Sequence, residues 1–255
     1  MNRITQAFQD KKAFIAFLTG GDPDIETTDK LIVAMAGSGV DIIEIGIPFS
    51  DPVAEGVVIQ EADERALKNG CTVDKLFEMV KKVRDKVRIP LLFMTYINPI
   101  FVYGKTRFIK NCADCGIDGI IVPDLPFEES DELADDCAKY GITQISMIAP
   151  TSQERIKLIA RNAKGFLYCV SSLGVTGMRS EINTNVAEMI KQVKEVASVP
   201  CAVGFGISTP EQARDMADVS DGVIIGSAIV KLIAEYDKES VEPVRQFISE
   251  VKRVL

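Results

Sequence analysis

The sequence predicts an α/β protein that folds as one closed (β/α)8 barrel. Short apolar runs rich in Val, Ile and Leu recur along all 255 residues, and stretches with a helical period of about 3.6 residues separate them. This strict alternation favours parallel strands joined by right-handed crossovers. Eight such units in a chain of about 250 residues match the number of strand–helix units and the typical length of a TIM barrel.

Each of the eight strand candidates is followed by a helix, and extra short helices complete the predicted fold class. In chain order the strands cover residues 13–19, 41–46, 90–94, 119–122, 143–148, 166–169, 200–203 and 222–225. The helical stretches cover residues 25–36, 73–86, 107–115, 129–140, 153–162, 185–196 and 210–216, and a C-terminal helix is expected at about 241–254.

Capping residues stand at several predicted helix starts. Asp22, Thr151 with Ser152, and Thr209 occupy such positions, and a proline follows the first and the last of them. The main alternative fold is an open doubly wound sheet, but residues 20–23, GGDP, do not form the G-x-G-x-x-G fingerprint of that class. Since no linker or low-complexity segment interrupts the pattern, a single domain over residues 1–255 is expected.

Composition narrows the possible functions. The chain has no His and no Trp, and 29 Lys and Arg stand against 37 Asp and Glu, a formal net charge of −8. The lack of His excludes imidazole catalysis and His-based zinc sites. The negative charge disfavours binding to nucleic acids and to anionic membranes. With no signal peptide or apolar span in sight, a cytoplasmic protein is expected.

The six cysteines are too sparse for a disulfide scaffold in a chain of this length. Cys112 and Cys115 form a C-x-x-C pair, but no second pair and no His accompany it, and the surrounding pattern looks helical. We therefore expect reduced, mostly buried thiols, with neither a metal site nor a redox role.

Glu44 is the leading candidate for acid and base catalysis. It stands within the second strand, where alternation places it on the same side as Ile42 and Gly46. If that side faces the barrel interior, burial raises the pKa of the carboxyl toward neutrality, which suits a group that takes and returns protons. The alternative is an outward Glu44 that pairs with a Lys or Arg of the helical shell. The loop at residues 47–56 adds Asp51 and Glu55, which serve either as a second catalytic carboxylate or as plain turn residues.

Three strand exits near the end of the chain carry glycines, at residues 171–177, 204–208 and 226–228. Glycines let backbone N–H groups approach a ligand, and the helix after the eighth strand adds its dipole. Barrels of this class often bind phosphate at these loops, so a phosphorylated small molecule is the expected substrate class. Simple turns are the alternative explanation.

Taken together, these segments resemble the α subunit family of tryptophan synthase along essentially the whole chain. The segments that carry the resemblance are TGGDP at 19–23, EIGIPFSDP at 44–52, MTYINPI at 94–100, VPDLP at 122–126, APT at 149–151, GVTG at 174–177, GFGI at 204–207 and GSA at 226–228.

The resemblance implies cleavage of indole-3-glycerol phosphate to indole and glyceraldehyde 3-phosphate, without metal or organic cofactor. It also implies a β subunit partner in an α2β2 complex, to which indole is passed. Glu44 and Tyr168 match the family's catalytic glutamate and active-site tyrosine. The implied phosphate ligands are backbone groups of Gly177, Gly206, Gly226 and Ser227, beside a flexible loop from Thr176 to Arg179. The implied indole pocket is lined by Phe17, Ile59, Met94, Tyr96, Leu125 and Phe205.

One loop departs from the family pattern. Where the family has Ala-Asp-Gly-Pro, this chain has Ala54-Glu55-Gly56-Val57, so the second catalytic carboxylate is Glu55 and a proline is missing. A shift of about 1 Å in a catalytic group can cost about a hundredfold in rate. Two alternatives therefore stand beside the lyase: a weakly active or inactive chain that mainly binds and activates a β subunit, and a phosphosugar isomerase or epimerase. The latter is poorly matched, because strands one and five end without an Asp base.

Overall fold

The computed structural model describes residues 2–150, 152–170, 179–204 and 206–255, with the side chains of residues 179–185 excepted. Eight parallel strands pair in sequence order and close into a barrel, which confirms the predicted fold class. The strands are β1 (Ala13–Thr19), β2 (Ile42–Gly46), β3 (Leu91–Met94), β4 (Gly119–Ile121), β5 (Thr143–Ile148), β6 (Leu167–Val170), β7 (Cys201–Gly204) and β8 (Gly222–Ile225).

Helices surround the barrel and close its N-terminal end. They are α1 (Arg3–Ala7), α2 (Ile25–Gly37), α3 (Val57–Lys68), α4 (Val73–Arg84), α5 (Ile97–Tyr103), α6 (Lys105–Cys115), α7 (Asp131–Tyr140), α8 (Gln153–Asn162), α9 (Arg179–Lys194), α10 (Pro210–Val219), α11 (Ser227–Tyr236) and α12 (Val241–Lys252). Two 3-10 turns lie at Phe127–Glu129 and Asp237–Glu239.

The second strand is followed by α3, a helix that hydrophobic periodicity does not reveal. Its buried positions are Ala62, Asp63 and Ala66, two small residues and a carboxylic acid. A helix that packs through such residues lacks the broad apolar stripe by which amphipathic helices are recognised. This helix matters for the site, because it lies against the ends of β1 and β2.

The predicted helix caps are partly right. Ser152 and Thr209 accept hydrogen bonds from the backbone N–H groups of Arg155 and Gln212, as N-caps do. The assignment of Asp22 is wrong, because Asp24 caps α2 instead. Asp22 is buried and accepts two hydrogen bonds from the Arg65 guanidinium of α3, at 2.9 and 2.8 Å, so its carboxylate is used for a tertiary ion pair.

The core has two layers and a separate cluster at one end. Inside the barrel, alternate strand residues meet, among them Ile15, Ile42, Leu92 and Tyr168, and Ile4 of α1 closes the N-terminal end. The other strand residues face the helices and form the larger outer cluster. A third cluster comprises Phe17, Ala62 and Val230, with Val58, Ile59 and Met94 packed against it. The period-two alternation of each strand thus separates the barrel interior from the helical shell.

All six cysteines are buried and unpaired, which confirms the prediction of buried thiols. Cys112 and Cys115 lie in α6, as predicted, and burial raises the pKa of both thiols. Across the described ranges, the helices are all too short or too polar to cross a bilayer. The predicted cytoplasmic location stays a prediction.

Candidate active site

Glu44 points into the barrel interior. It shares the side of β2 on which Ile42 joins the interior cluster, and its ladder partners are Phe17 of β1 and Leu92 of β3. The side chain is 0% exposed, and neither carboxylate oxygen has a hydrogen-bond partner among the described residues. Burial raises its pKa to about 8. The alternative of an outward Glu44 paired with a Lys or Arg is therefore wrong.

Tyr168 stands in the same interior, in the middle of β6 rather than at its end. Burial raises the pKa of its hydroxyl well above the ordinary value, and the charge of Glu44 adds to this rise. A Cβ atom at Gly204 of β7 would lie 2.8 Å from the Tyr168 hydroxyl oxygen. Gly204 therefore leaves the space that the tyrosine occupies beside Glu44.

Glu55 lies in the loop before α3, half-buried, at the edge of a large cavity. Burial raises its pKa, while the nearby polar groups of Asp63 and Tyr96 act in the opposite direction. Its Oε2 atom is buried without a partner in the described part of the chain. Glu55 is thus a second titratable carboxyl at the C-terminal end of the barrel, as the sequence predicts.

Asp63 of α3 is a site residue that sequence reasoning missed. It is 4% exposed, and it accepts hydrogen bonds from the Thr19 hydroxyl at 3.4 Å and from the Phe49 N–H at 3.3 Å. Burial, and then the charge of Glu55, raise the pKa of this carboxyl to about 8. One signal could have found it, because an acidic residue among the few inward positions of a helix requires an explanation.

Tyr96 was expected as part of an apolar wall, but its hydroxyl belongs to the polar part of the site. Its ring packs against Phe49, with centroids 5.4 Å apart, and is almost fully buried. The backbone N–H of Ala54 donates to the hydroxyl at 3.1 Å. The pKa of the hydroxyl is raised chiefly by burial, and the nearby Glu55 carboxyl adds to the rise.

A cavity of about 910 Å³ opens at the C-terminal ends of β2 to β6, within the range of small-molecule sites. Of the predicted indole-pocket residues, Met94 and Leu125 line it. Phe17 belongs to the third core cluster, against which Ile59 and Met94 pack, and Phe205 lies outside the described residues. Glu44 and Tyr168 are not among the residues that line this cavity. The other residues lining it include Val53, Ala54, Gly56, Val122, Pro123, Phe127, Met147, Ala149 and Val170.

The predicted phosphate ligands are described in part. Gly226 precedes α11 and Ser227 is the first residue of that helix, whose start has no side-chain cap within the described residues. Its first backbone N–H groups are therefore available to an anion. Gly206 is exposed and has a φ of +80°, a conformation that favours glycine.

Gly177 and Thr176 lie outside the described residues. Arg179 is described only as the first residue of α9, so the predicted loop ends there in a helix.

The two ends of the candidate site are close in the fold. A Cβ atom at Gly226 would lie 3.2 Å from the Phe17 ring, and Phe17 is the ladder partner of Glu44. Phe17 therefore lies beside both the start of α11 and the strand position of Glu44. This arrangement suits a small molecule with an anionic group at one end and a reacting centre near the other.

Comparisons with known proteins identify the family of this chain. The family described as tryptophan synthase alpha chain matches residues 4–254. The tryptophan synthase alpha chain of Thermoanaerobacter sp. is 49% identical over 100% of both chains, and that of Lacticaseibacillus casei is 45% identical over 99% of this chain and 95% of its own.

Solved structures give the same result. Tryptophan synthase subunit alpha from Legionella pneumophila has a TM-score of 0.91 at 37% identity and covers 100% of this chain and 98% of its own. A chain of the tryptophan synthase α2β2 complex from Pyrococcus furiosus has a TM-score of 0.87 at 38% identity, covering 94% of this chain and 98% of its own. This chain belongs to the tryptophan synthase alpha chain family.

Proposed function

We propose that this chain is a lyase that cleaves indole-3-glycerol phosphate to indole and glyceraldehyde 3-phosphate, without a metal or organic cofactor, in tryptophan biosynthesis. The observation that carries the proposal is Glu44, a fully buried carboxyl with no hydrogen-bond partner among the described residues and a pKa of about 8. Both protonation states of such a group are populated near neutral pH, which a proton shuttle requires.

The reaction needs one proton to be delivered and one to be removed. Glu44 in its acid form donates a proton toward C3 of the indole ring, and its carboxylate then takes the proton of the side-chain hydroxyl as the carbon–carbon bond breaks. The hydroxyl carbon becomes the aldehyde, and the electron pair of the broken bond returns to the indole ring. Glu44 ends the cycle protonated as it began, so no net proton is exchanged.

Glu55 interacts with the nitrogen atom of the indole ring. Its carboxylate accepts the indole N–H hydrogen bond and stabilises the positive charge that develops when C3 is protonated. Because Glu55 lines the cavity and Met94 and Leu125 supply apolar walls, the ring has both a polar contact and an apolar environment. Tyr168 confines the reacting end beside Glu44, while the start of α11 and Gly206 hold the phosphate.

The observations do not favour the other candidate functions. Relatives that match this chain over their full length are named tryptophan synthase alpha chain, and Glu55 keeps a carboxyl in the pocket, so an inactive, partner-only chain has no support. An isomerase would require a base at the ends of β1 or β5, which finish at Thr19 and Ile148.

We further propose a β subunit as partner. The relative from Pyrococcus furiosus is described as part of an α2β2 complex. Apolar side chains are exposed in the loop before α3, at its first residue and on α5, where Val53 is 77%, Val57 66% and Val102 82% exposed. Mixing this chain with a bacterial β subunit, followed by size-exclusion chromatography, tests the proposal, and two unchanged elution peaks would count against it.

The activity is tested by measuring indole release from indole-3-glycerol phosphate, with and without β subunit. We expect Glu44→Gln to lower kcat by about 100- to 10,000-fold, the usual contribution of a positioned acid or base. Glu64→Gln, on the exposed side of α3, is the matched control and leaves the rate unchanged. A wild-type rate no higher than that of Glu44→Gln would refute the lyase function.

A further inference from the structure

The loop between β2 and α3, which carries Glu55, is hydrogen-bonded through its backbone to neighbouring elements. Near the start of the loop, the Phe49 N–H donates to the Asp63 carboxyl of α3 at 3.3 Å. Near its end, the Ala54 N–H donates to the Tyr96 hydroxyl at 3.1 Å. The backbone just before Glu55 is therefore attached to the segment that follows β3.

Gln60 of α3 makes a third contact, and it makes this contact with Glu55 itself. Its side-chain Nε2 donates to the backbone carbonyl of Glu55 at 2.8 Å. Gln60 is the fourth residue of α3, and its own N–H donates to the Gly56 carbonyl at 3.1 Å, so the first turn of the helix sets its position. A helical residue thus holds the backbone of Glu55, which directly precedes the N-cap Gly56.

These contacts leave the Glu55 carboxylate available. They use backbone groups of the loop, and the Oε2 atom of Glu55 is buried without a hydrogen-bond partner among the described residues. Glu55 also lines the cavity of about 910 Å³. A buried acceptor is costly to leave unpaired. This oxygen is therefore placed to accept a hydrogen bond from a molecule in the cavity.

The loop needs such contacts, because little else restricts it where α3 begins. Gly56 is exposed, and a glycine adds backbone freedom directly after Glu55. Val57, the first residue of α3, is 66% exposed, so core packing does not hold it. A displacement of about 1 Å in a catalytic group can cost about a hundredfold in rate.

We propose that Gln60 is a positioning residue for the cleavage reaction, whose side-chain amide fixes the Glu55 backbone so that the free carboxylate stays directed into the cavity. This inference rests on the proposed lyase function and deepens it. Gln60 is not among the residues that line the cavity, so it acts through Glu55 and not on the indole itself. The Tyr96 hydroxyl supports the same backbone one residue earlier, at Ala54.

The first test needs no substrate. Gln60→Met keeps the length and the apolar stem of the side chain but removes the donor. We expect the Ala54 amide to exchange its hydrogen about fivefold faster in this variant, by NMR, since that factor corresponds to one typical hydrogen bond. Glu64→Met places the same side chain at an exposed position of α3 and leaves the exchange rate unchanged. Unchanged exchange in Gln60→Met would overturn the proposal.

The second test measures indole release and separates positioning from a merely structural role. We expect Gln60→Met to lower kcat by about tenfold or more, with a smaller change in KM, while Glu64→Met leaves both unchanged. In a Glu55→Gln background the same substitution should lower kcat no further, because Gln60 acts through the carboxylate already lost. Fully additive losses, with all variants folded by circular dichroism, would refute the positioning role.

A proline at position 57 provides a rescue experiment. Gly56 has φ −77° and ψ 163°, the extended conformation that a residue before proline adopts, and the first position of a helix accepts proline well. Val57→Pro should therefore restrict the backbone beside Glu55 and restore part of the kcat lost in Gln60→Met. A double variant no faster than Gln60→Met would show that loop order is not what Gln60 supplies.

Failure of this inference can be distinguished from failure of the lyase function. If the wild type releases no indole, the lyase function fails, and hydrogen exchange still decides whether Gln60 holds the loop. If the wild type is active and Gln60→Met matches its kcat, the positioning role alone is refuted.

Discussion

Replacing Glu44 by Gln should change the pH dependence of the protein's stability as well as its activity. It replaces a fully buried ionisable carboxyl by a neutral amide of nearly the same shape. In the folded protein the Glu44 pKa is about 8, against a reference value of 4.5. Between these values the unfolded chain releases a proton that the folded protein keeps. The wild type therefore loses stability as the pH rises through this window, and the variant lacks that loss.

The size of the effect follows from proton linkage. Below about pH 4.5 Glu44 is protonated in both the folded and the unfolded protein, and above about pH 8 it is ionised in both. Its contribution to the free energy of unfolding therefore changes only between these two pH values. Within the window the loss approaches about 1.4 kcal/mol per pH unit. From about pH 5.5 to about pH 7.5, the free energy of unfolding of the wild type should fall by about 2.5 kcal/mol more than that of Glu44→Gln.

Urea unfolding at several pH values, followed by circular dichroism, measures this difference. All other titrating groups are common to the two proteins, so they cancel when the two pH dependences are subtracted. The absolute stability of the variant does not enter, because only the change with pH is compared. Parallel curves over this range would refute the conclusion that Glu44 is buried as a neutral acid.

Three further predictions concern packing, an ion pair and the thiols. Gly204→Ala should lower the free energy of unfolding by about 1–3 kcal/mol in urea titrations and reduce indole release, because its Cβ would lie 2.8 Å from the Tyr168 hydroxyl. Gly37→Ala, whose Cβ has no neighbour within 4 Å, should cost nothing, and equal losses for the two would contradict the packing argument. Arg65→Ala leaves the buried Asp22 carboxylate without its guanidinium and should cost about 3–5 kcal/mol by the same titration, whereas a loss under about 1 kcal/mol would show that the pair is dispensable. The six buried thiols should react with an aromatic disulfide reagent only after unfolding, and rapid labelling of the native protein would disprove their burial.

Local pattern predicted part of the Glu44 environment. The period of two along β2 places Glu44 on the side of Ile42, but both sides of this strand are apolar, so the structure was needed to show that this side faces the barrel interior, where burial raises the pKa. The alternation of strands and helices likewise predicted the order and the closure of the barrel. These features depend on residues near one another in the chain, so the sequence contains them directly.

Asp22 shows the limit of local reasoning. An aspartate before a proline at a helix start is a good N-cap by local rules, yet Asp24 takes that position and Asp22 pairs with Arg65 in α3. The partner lies more than 40 positions along the chain. Only the packing of α3 against the end of β1 brings the two charges together.

The sequence by itself determined the barrel, the position of Glu44 within the second strand and the replacement of the family aspartate by Glu55. Only the tertiary structure decided what surrounds Glu55, because Asp63 and Tyr96 come from separate segments, and Asp63 is itself held by Thr19 and Phe49. A periodic pattern reports which side of one element is buried. It does not show which polar groups from different elements come together there, and the pKa of Glu55 depends on those groups.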